Sequence, residues 1–209
     1  MDGSLEPEAR SGVRTGASER QTAELVEAIR RGDADAFETL ARENAPALFR
    51  TALGLTGRRE DAEDLVQEVL VRALPALRRF EGRAKLSTYL FRAMGNLWKN
   101  QLRSKKRSRV VEWFRRGTGD EGEDERISLD PPDEEPLPVE RLQARELAVE
   151  VRAAVAKLDP PRRLTLLLRE VQEMSYEEIA VATDVPVGTV RSRLARARED
   201  LRRLLGDRT

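Results

Sequence analysis

The stretch "SYEEIAVATDVPVGTVRSRLARAR", residues 175–198, holds two helix signals separated by a turn signal. Ser175 followed by Glu178 is an S-x-x-E pattern, in which hydroxyl and carboxylate each satisfy a free backbone N–H at a helix start. A short helix is predicted from Tyr176, with Ile179, Ala180 and Ala182 as its small apolar side. Asp184, Val185 and Pro186 interrupt it, because proline lacks the N–H and biases the residue before it away from helix. Pro186 itself suits the first turn of a second helix. There Val190, Leu194, Ala197, Leu201, Leu204 and Leu205 recur at spacings of three and four, which predicts one buried stripe.

At about 100° per residue, the opposite face carries Ser192, Ala195, Arg196, Glu199, Arg202 and Arg203, flanked by Arg191, Arg193 and Arg198. This fits a helix-turn-helix. The second helix of such a motif enters the major groove, reads base edges from its first turns and sets flanking arginines against phosphates. A solvated charged face on an ordinary helical hairpin has the same local signature, and the segment alone leaves both readings open.

Composition narrows the choice. The 209 residues include 38 Lys plus Arg against 38 Asp plus Glu, so nucleic-acid binding requires local segregation of charge rather than a uniformly basic coat. Cysteine and histidine are absent, which excludes disulfides, thiolate chemistry, the usual zinc sites and histidine acid–base catalysis. No catalytic constellation, metal site, phosphate-cradling glycine loop or cofactor motif is evident, and no cofactor or small-molecule substrate is expected. No apolar run approaches the ~18 residues of a membrane span. The N-terminus lacks the hydrophobic character of a signal peptide, so a cytoplasmic protein is expected.

The fold class expected is all-α: two small helical domains joined by an acidic flexible linker. Residues 1–21 are rich in Gly, Ser and charge and are expected to form a disordered tail. Helical patterns begin near Thr22. Asp33 is a candidate cap, Pro46 marks a bend or restart, and Thr56-Gly57 a break. "DAEDLVQEVLVRAL", residues 61–74, places Ala62, Leu65, Val66, Val69, Leu70 and Ala73 on one face, leaving Asp61, Asp64, Gln67, Glu68 and Arg72 on the rest. That acidic face is either simply solvated or suited to a basic groove on a partner.

A glycine-bearing loop, "FEGRAK", precedes the helix starting near Ser87 or Thr88. On it Arg92, Asn96, Lys99, Arg103 and Lys106 recur near helical spacing, while Leu90, Met94, Leu97 and Leu102 face inward. Phe80, Tyr89, Phe91 and Trp98 gather around the same segment. Aromatics on which unpaired bases stack, beside cations that track the backbone, suit single-stranded nucleic acid. The same aromatics also suit a small core. Residues 109–138 hold "GTGDEGEDERISLDPPDEEPLP", nine carboxylates against Arg126, and are expected to be an extended linker. Periodicity resumes with Val139, Leu142, Leu147, Val151 and Val155, followed by "LDPPRRLTLLLREVQ", whose Asp159 and Pro160 read as a cap and first-turn proline.

In order and spacing, these segments resemble the extracytoplasmic-function (ECF) group of the sigma-70 family of RNA polymerase sigma factors. The likeness covers about residues 22–108, region two, and 139–206 of a region-four domain taken as 139–209. It rests on "DAEDLVQEVLVRAL" and on "SYEEIA" followed by "VPVGTVRSRLARARE". The resemblance implies a factor that binds core RNA polymerase and directs initiation at specific promoter DNA, with region two melting and reading the minus-ten element and region four reading the minus-thirty-five element. It places Asp61, Asp64, Gln67 and Glu68 against polymerase. It places Phe80, Lys85, Ser87, Tyr89, Asn96, Lys99, Asn100 and Arg103 on minus-ten DNA, the Phe80–Ser87 loop capturing a flipped base. Thr189, Arg191, Ser192, Ala195 and Arg196 fall on minus-thirty-five DNA. Tyr89 stands where many relatives carry tryptophan, Asn100 where an acidic residue is frequent, and Ala195 is smaller than the residue in some. An anti-sigma factor that covers these surfaces is the implied regulator.

Two other classes compete. A free-standing helix-turn-helix regulator should carry a sensing or dimerisation domain in place of residues 22–108. A protein that sequesters a partner through its acidic helix would leave the arginine-rich helix unexplained.

Overall fold

The computed structural model describes residues 19–77, 80, 85–116 and 139–206. Among them lie eight α-helices and no strand, in accord with the all-α expectation: α1 (Glu19–Arg30), α2 (Ala34–Thr56), α3 (Arg59–Leu77), α4 (Leu86–Arg116), α5 (Val139–Ala156), α6 (Pro160–Glu170), α7 (Tyr176–Thr183) and α8 (Val187–Leu205).

Local chemistry sets the helix ends. The Asp33 carboxylate accepts the N–H groups of Asp35 and Ala36 at 2.9 and 3.1 Å, capping α2. Gly57, at φ 76°, donates its N–H to the Leu53 carbonyl and closes α2 in the left-handed conformation that a Cβ would strain. Pro46 does not restart the chain: α2 continues through it with Leu40, Leu48, Ala52 and Leu55 buried on either side. Packing thus outweighs the one backbone hydrogen bond that proline removes.

Two expected boundaries shift. Residues 19–21, assigned to the tail, are the first turn of α1, and residues 109–116, assigned to the linker, extend α4. "RVVEWFRR" contains no glycine or proline, so the first helix breaker is Gly117. The acidic stretch 117–138, residues 1–18 and 81–84, and the side chains of Val139 and Leu142 lie outside the described residues.

Helices α2, α3 and α4 pack together with α1 alongside, and α5 to α8 form a second unit. Helix α6 packs on the helix-turn-helix. Its other side was not foreseen. Arg163, Leu164, Thr165, Leu166, Leu167 and Leu168 are all buried, and a helix buried all round needs neighbours on every face. Helices α7 and α8 cover one side and α2 another, so a single hydrophobic cluster runs through both units. At Gly54 of α2, a Cβ would meet Leu167 Cδ2 at 2.7 Å and Cδ1 at 2.9 Å; at Gly95 of α4 it would meet Leu164 Cδ2 at 2.8 Å. Both glycines are notches for leucines of α6.

Polar contacts cross the same seam. Arg163 donates to the Leu55 carbonyl at 3.0 Å and, within its own unit, to that of Leu158 at 3.2 Å. Leu55 lies in the last turn of α2, where carbonyls lack intrahelical partners and a cation is favoured. Gln172 donates to the Ala47 carbonyl and the Thr51 hydroxyl at 2.9 and 2.8 Å. Along α5 and α8 the predicted apolar stripes are partly open: Leu147 and Leu204 are exposed, while Val155, Val190, Leu194 and Ala197 are buried.

Candidate nucleic-acid interface

The helix-turn-helix is built as its local signals require. Glu178 donates its N–H to Ser175 Oγ at 3.1 Å, and Ser175 donates its N–H to Glu178 Oε2 at 2.8 Å, so the predicted capping box is complete. Asp184 ends α7 at φ 57° with its N–H on the Ala180 carbonyl, and Pro186, in extended backbone, is the N-cap of α8. Val190, Leu194 and Ala197 anchor α8. Arg191, Ser192, Ala195 and Arg196 therefore face solvent together, with Thr189 half-buried at the first turn. The Ser192 hydroxyl donates to the Thr189 carbonyl at 3.0 Å, which fixes its rotamer. Arg198 is held to one side by Glu170, whose carboxylate raises its pKa further.

On α4, Asn96, Asn100 and Arg103 are exposed at helical spacing and Lys99 is half-buried between them. Burial, with the nearby charges of Arg193 and Arg103, lowers the Lys99 pKa against the opposing pull of Asp184. Phe91 and Trp98 are only 3% exposed, so of the two readings the sequence left open, stacking surface or core, these two take the core. They fall on the inward side of α4 with Leu90, Met94 and Leu97. Phe80 and Tyr89 remain half-buried, ring centroids 5.8 Å apart and tilted by 60°. Burial raises the Tyr89 pKa despite the Arg92 charge. Arg30 donates to the Phe80 carbonyl and ties this residue to α1. Ser87 is half-buried and Lys85 exposed.

On α3, Asp64 and Gln67 point to solvent, while Asp61 and Glu68 are partly covered by α4: Asp61 lies 3.7 Å from Lys105, and Gln101 donates to Glu68 at 3.2 Å. Val71, 63% exposed, shares the helix face of Asp64 and Gln67 at i+7 and i+4 and was missed by the sequence reading. An apolar residue amid exposed acids could have signalled it. Also missed were two ion pairs that tie α7 and its C-cap to the first turns of α4: Lys85 to Glu178 at 2.9 Å and Arg92 to Asp184 at 3.6 Å. Among the described residues no group of three or more His, Cys, Asp or Glu could hold a metal ion. Nor is any described helix long and apolar enough to cross a membrane.

Comparison with known proteins matches residues 40–108 to Sigma-70 region 2 and residues 148–201 to Sigma-70 region 4. The RNA polymerase sigma-H factor of Pseudomonas aeruginosa is 31% identical over 90% of this chain and 95% of its own. The chain belongs to the ECF RNA polymerase sigma factors. The ECF sigma factor SigW of Bacillus subtilis is 29% identical to this sigma factor over 87% of the chain and 95% of its own, and the ECF sigma-E factor of Escherichia coli 34% over 84% and 89%. A solved structure of the sigma factor RpoE with the anti-sigma factor NepR from Bartonella quintana is similar over 83% of this chain and 98% of that one, at 26% identity and TM-score 0.61. The structure of CnrH with the cytosolic domain of CnrY shares the fold over 92% and 100%, at 22% identity and TM-score 0.62. Membership makes this chain a factor for promoter-specific transcription initiation.

Proposed function

We propose that this sigma factor docks on core RNA polymerase through Asp61, Asp64, Gln67 and Glu68 with Val71, and acts in the cytoplasm by binding alone, without a reaction or cofactor of its own. Residues 22–108 work as region two and 139–209 as region four, with 109–138 as the connection and 1–21 as the tail. Region two melts the minus-ten element and holds its single strand on Phe80, Lys85, Ser87, Tyr89, Asn96, Lys99, Asn100 and Arg103. Region four reads the minus-thirty-five duplex with Thr189, Arg191, Ser192, Ala195 and Arg196. An anti-sigma factor is its regulator, by analogy with the RpoE–NepR pair.

The supporting observation is the clean division of α8: Val190, Leu194 and Ala197 are buried, and Arg191, Ser192, Ala195 and Arg196 are exposed together. A recognition helix needs that division, with short polar side chains among arginines on the outer face. Run-off transcription from a promoter library with purified core polymerase tests the reading. Discrete start sites only in the presence of the protein are expected. Sequence-specific binding to duplex DNA without any effect on polymerase would replace it with a free-standing regulator.

A further inference from the structure

Helix α1 carries none of the residues assigned above to polymerase or promoter, yet one of its side chains reaches the minus-ten face. Arg30 sits in the last turn of α1, where Val26 and Ile29 are buried. The turn that follows is fixed: Gly32, at φ 92°, donates its N–H to the Ile29 carbonyl at 3.0 Å, and Asp33 donates to that of Ala28 at 3.1 Å. The base of the Arg30 side chain is therefore a fixed point. Its guanidinium meets the Glu27 carboxylate at 3.1 Å on one side and donates on the other to the Phe80 carbonyl, 50 residues away in sequence.

Phe80 is consequently held by α3, α1 and α4. Its N–H donates to the Leu77 carbonyl at the end of α3 at 3.1 Å, its carbonyl accepts from α1, and its ring centre lies 5.8 Å from that of Tyr89 on α4. Both rings are only half-buried, so a base can still reach them. Aromatic faces that stack on unpaired bases bind best when they stand in place beforehand. A residue ordered only on binding loses its conformational entropy at that moment and weakens the complex accordingly.

We propose that Arg30 is a positioning residue for minus-ten reading: by tying the Phe80 carbonyl to α1, it holds the Phe80 ring beside Tyr89, ready for a base that has left the duplex. Arg30 acts through Phe80 and not on DNA. Its guanidinium is engaged within the protein, and the Glu27 carboxylate beside it repels a phosphate.

The inference rests on the assignment of Phe80 and Tyr89 to the minus-ten strand, and a double-mutant cycle separates the two. The full chain is assembled with core polymerase. The probe is an end-labelled single-stranded oligonucleotide carrying the minus-ten sequence recovered by run-off transcription from the promoter library, titrated by anisotropy at several salt concentrations. Arg30→Ala should weaken binding roughly five- to thirtyfold, the factor that corresponds to ordering one residue's backbone. In a Phe80→Ala background the same substitution should cost nothing further, because the ring it positions is gone. The salt slope should stay that of the parent. Arg30→Lys keeps the charge but lacks the fixed fork that serves both acceptors, and should recover part of the loss. It also carries the same cycle if the alanine variant melts early.

Parental affinity in Arg30→Ala overturns the inference. So does a loss that persists in full in the Phe80→Ala background, or a salt slope reduced by about 0.7, the mark of an arginine lying on a single-strand phosphate. Failure of the underlying assignment looks different: Phe80→Ala then binds the oligonucleotide as the parent does, or the protein directs no transcription and the library returns no sequence. Either result removes the reading surface, and the positioning role with it.

Discussion

The Arg163 guanidinium lies 5.7 Å from the centre of the Trp98 ring, seating a cation of the second helical unit on an aromatic of the first. Burial lowers its pKa to about 10, although the Asp159 charge works to raise it, and its Nε has no hydrogen-bond partner. Arg163 still donates to two carbonyls, and it is charged at neutral pH. Arg163→Ala should therefore destabilise the protein by about 2 kcal/mol, since it strands the Leu55 carbonyl and empties the space over Trp98. At this chain length that is a fall in Tm of roughly 4–8 °C, read by thermal denaturation. Arg163→Lys should recover only part of it, because an ammonium cannot fork to both carbonyls.

Arg191 and Arg196 share the exposed face of α8 with Ser192 and Ala195. Alanine at either should cost about 1–3 kcal/mol in binding to the minus-thirty-five duplex if the arginine reads a base. An arginine on phosphate would instead weaken all sequences alike and reduce the salt slope by about one. Anisotropy titrations against matched and scrambled duplexes at several salt concentrations separate these outcomes.

Asp64 and Gln67 face solvent beside Val71. Asp64→Arg should reduce affinity for core polymerase at least tenfold and leave the melting curve within about 0.5 kcal/mol of the parent, as surface substitutions do. A co-migration assay with core enzyme checks the first and calorimetry the second.

Burial disfavours ionisation of Glu178, but the Lys85 ammonium and the Ser175 backbone N–H together hold its pKa below the ordinary 4.5. A carboxyl depressed in the folded state adds stability above its unfolded pKa and loses it as pH falls through the folded one. Region four should therefore loosen from region two as pH drops below about 4.5. Glu178→Gln should flatten that dependence. Distances between labelled units, followed from neutral pH downward, test it.

Much of the fold was legible in the chain because its signals are local. The Asp33 and Ser175 caps, the Gly57 stop, the Asp184 interruption and the stripe of Val190, Leu194 and Ala197 each depend on residues within a turn or two. The outward placement of Arg191, Ser192, Ala195 and Arg196 follows from that stripe by helical period alone. Phe91 and Trp98 were ambiguous because an aromatic that stacks on a base and one that packs in a core leave the same trace in sequence.

The seam was decided by tertiary structure. "LTLLL" in α6 lacks an outward polar side, which states that the helix is covered on several faces, but apolar attraction is non-directional and names no partner. Gly54 and Gly95 become notches only when Leu167 and Leu164 arrive from more than sixty residues away. The same holds for Lys85 with Glu178 and Arg92 with Asp184, whose charges are ordinary surface residues until α7 crosses α4. Sequence by itself determined the helices, their caps and the face each one offers. Which faces meet, and so which binding surfaces the free molecule covers, was settled by steric fit between distant segments, which no local period records.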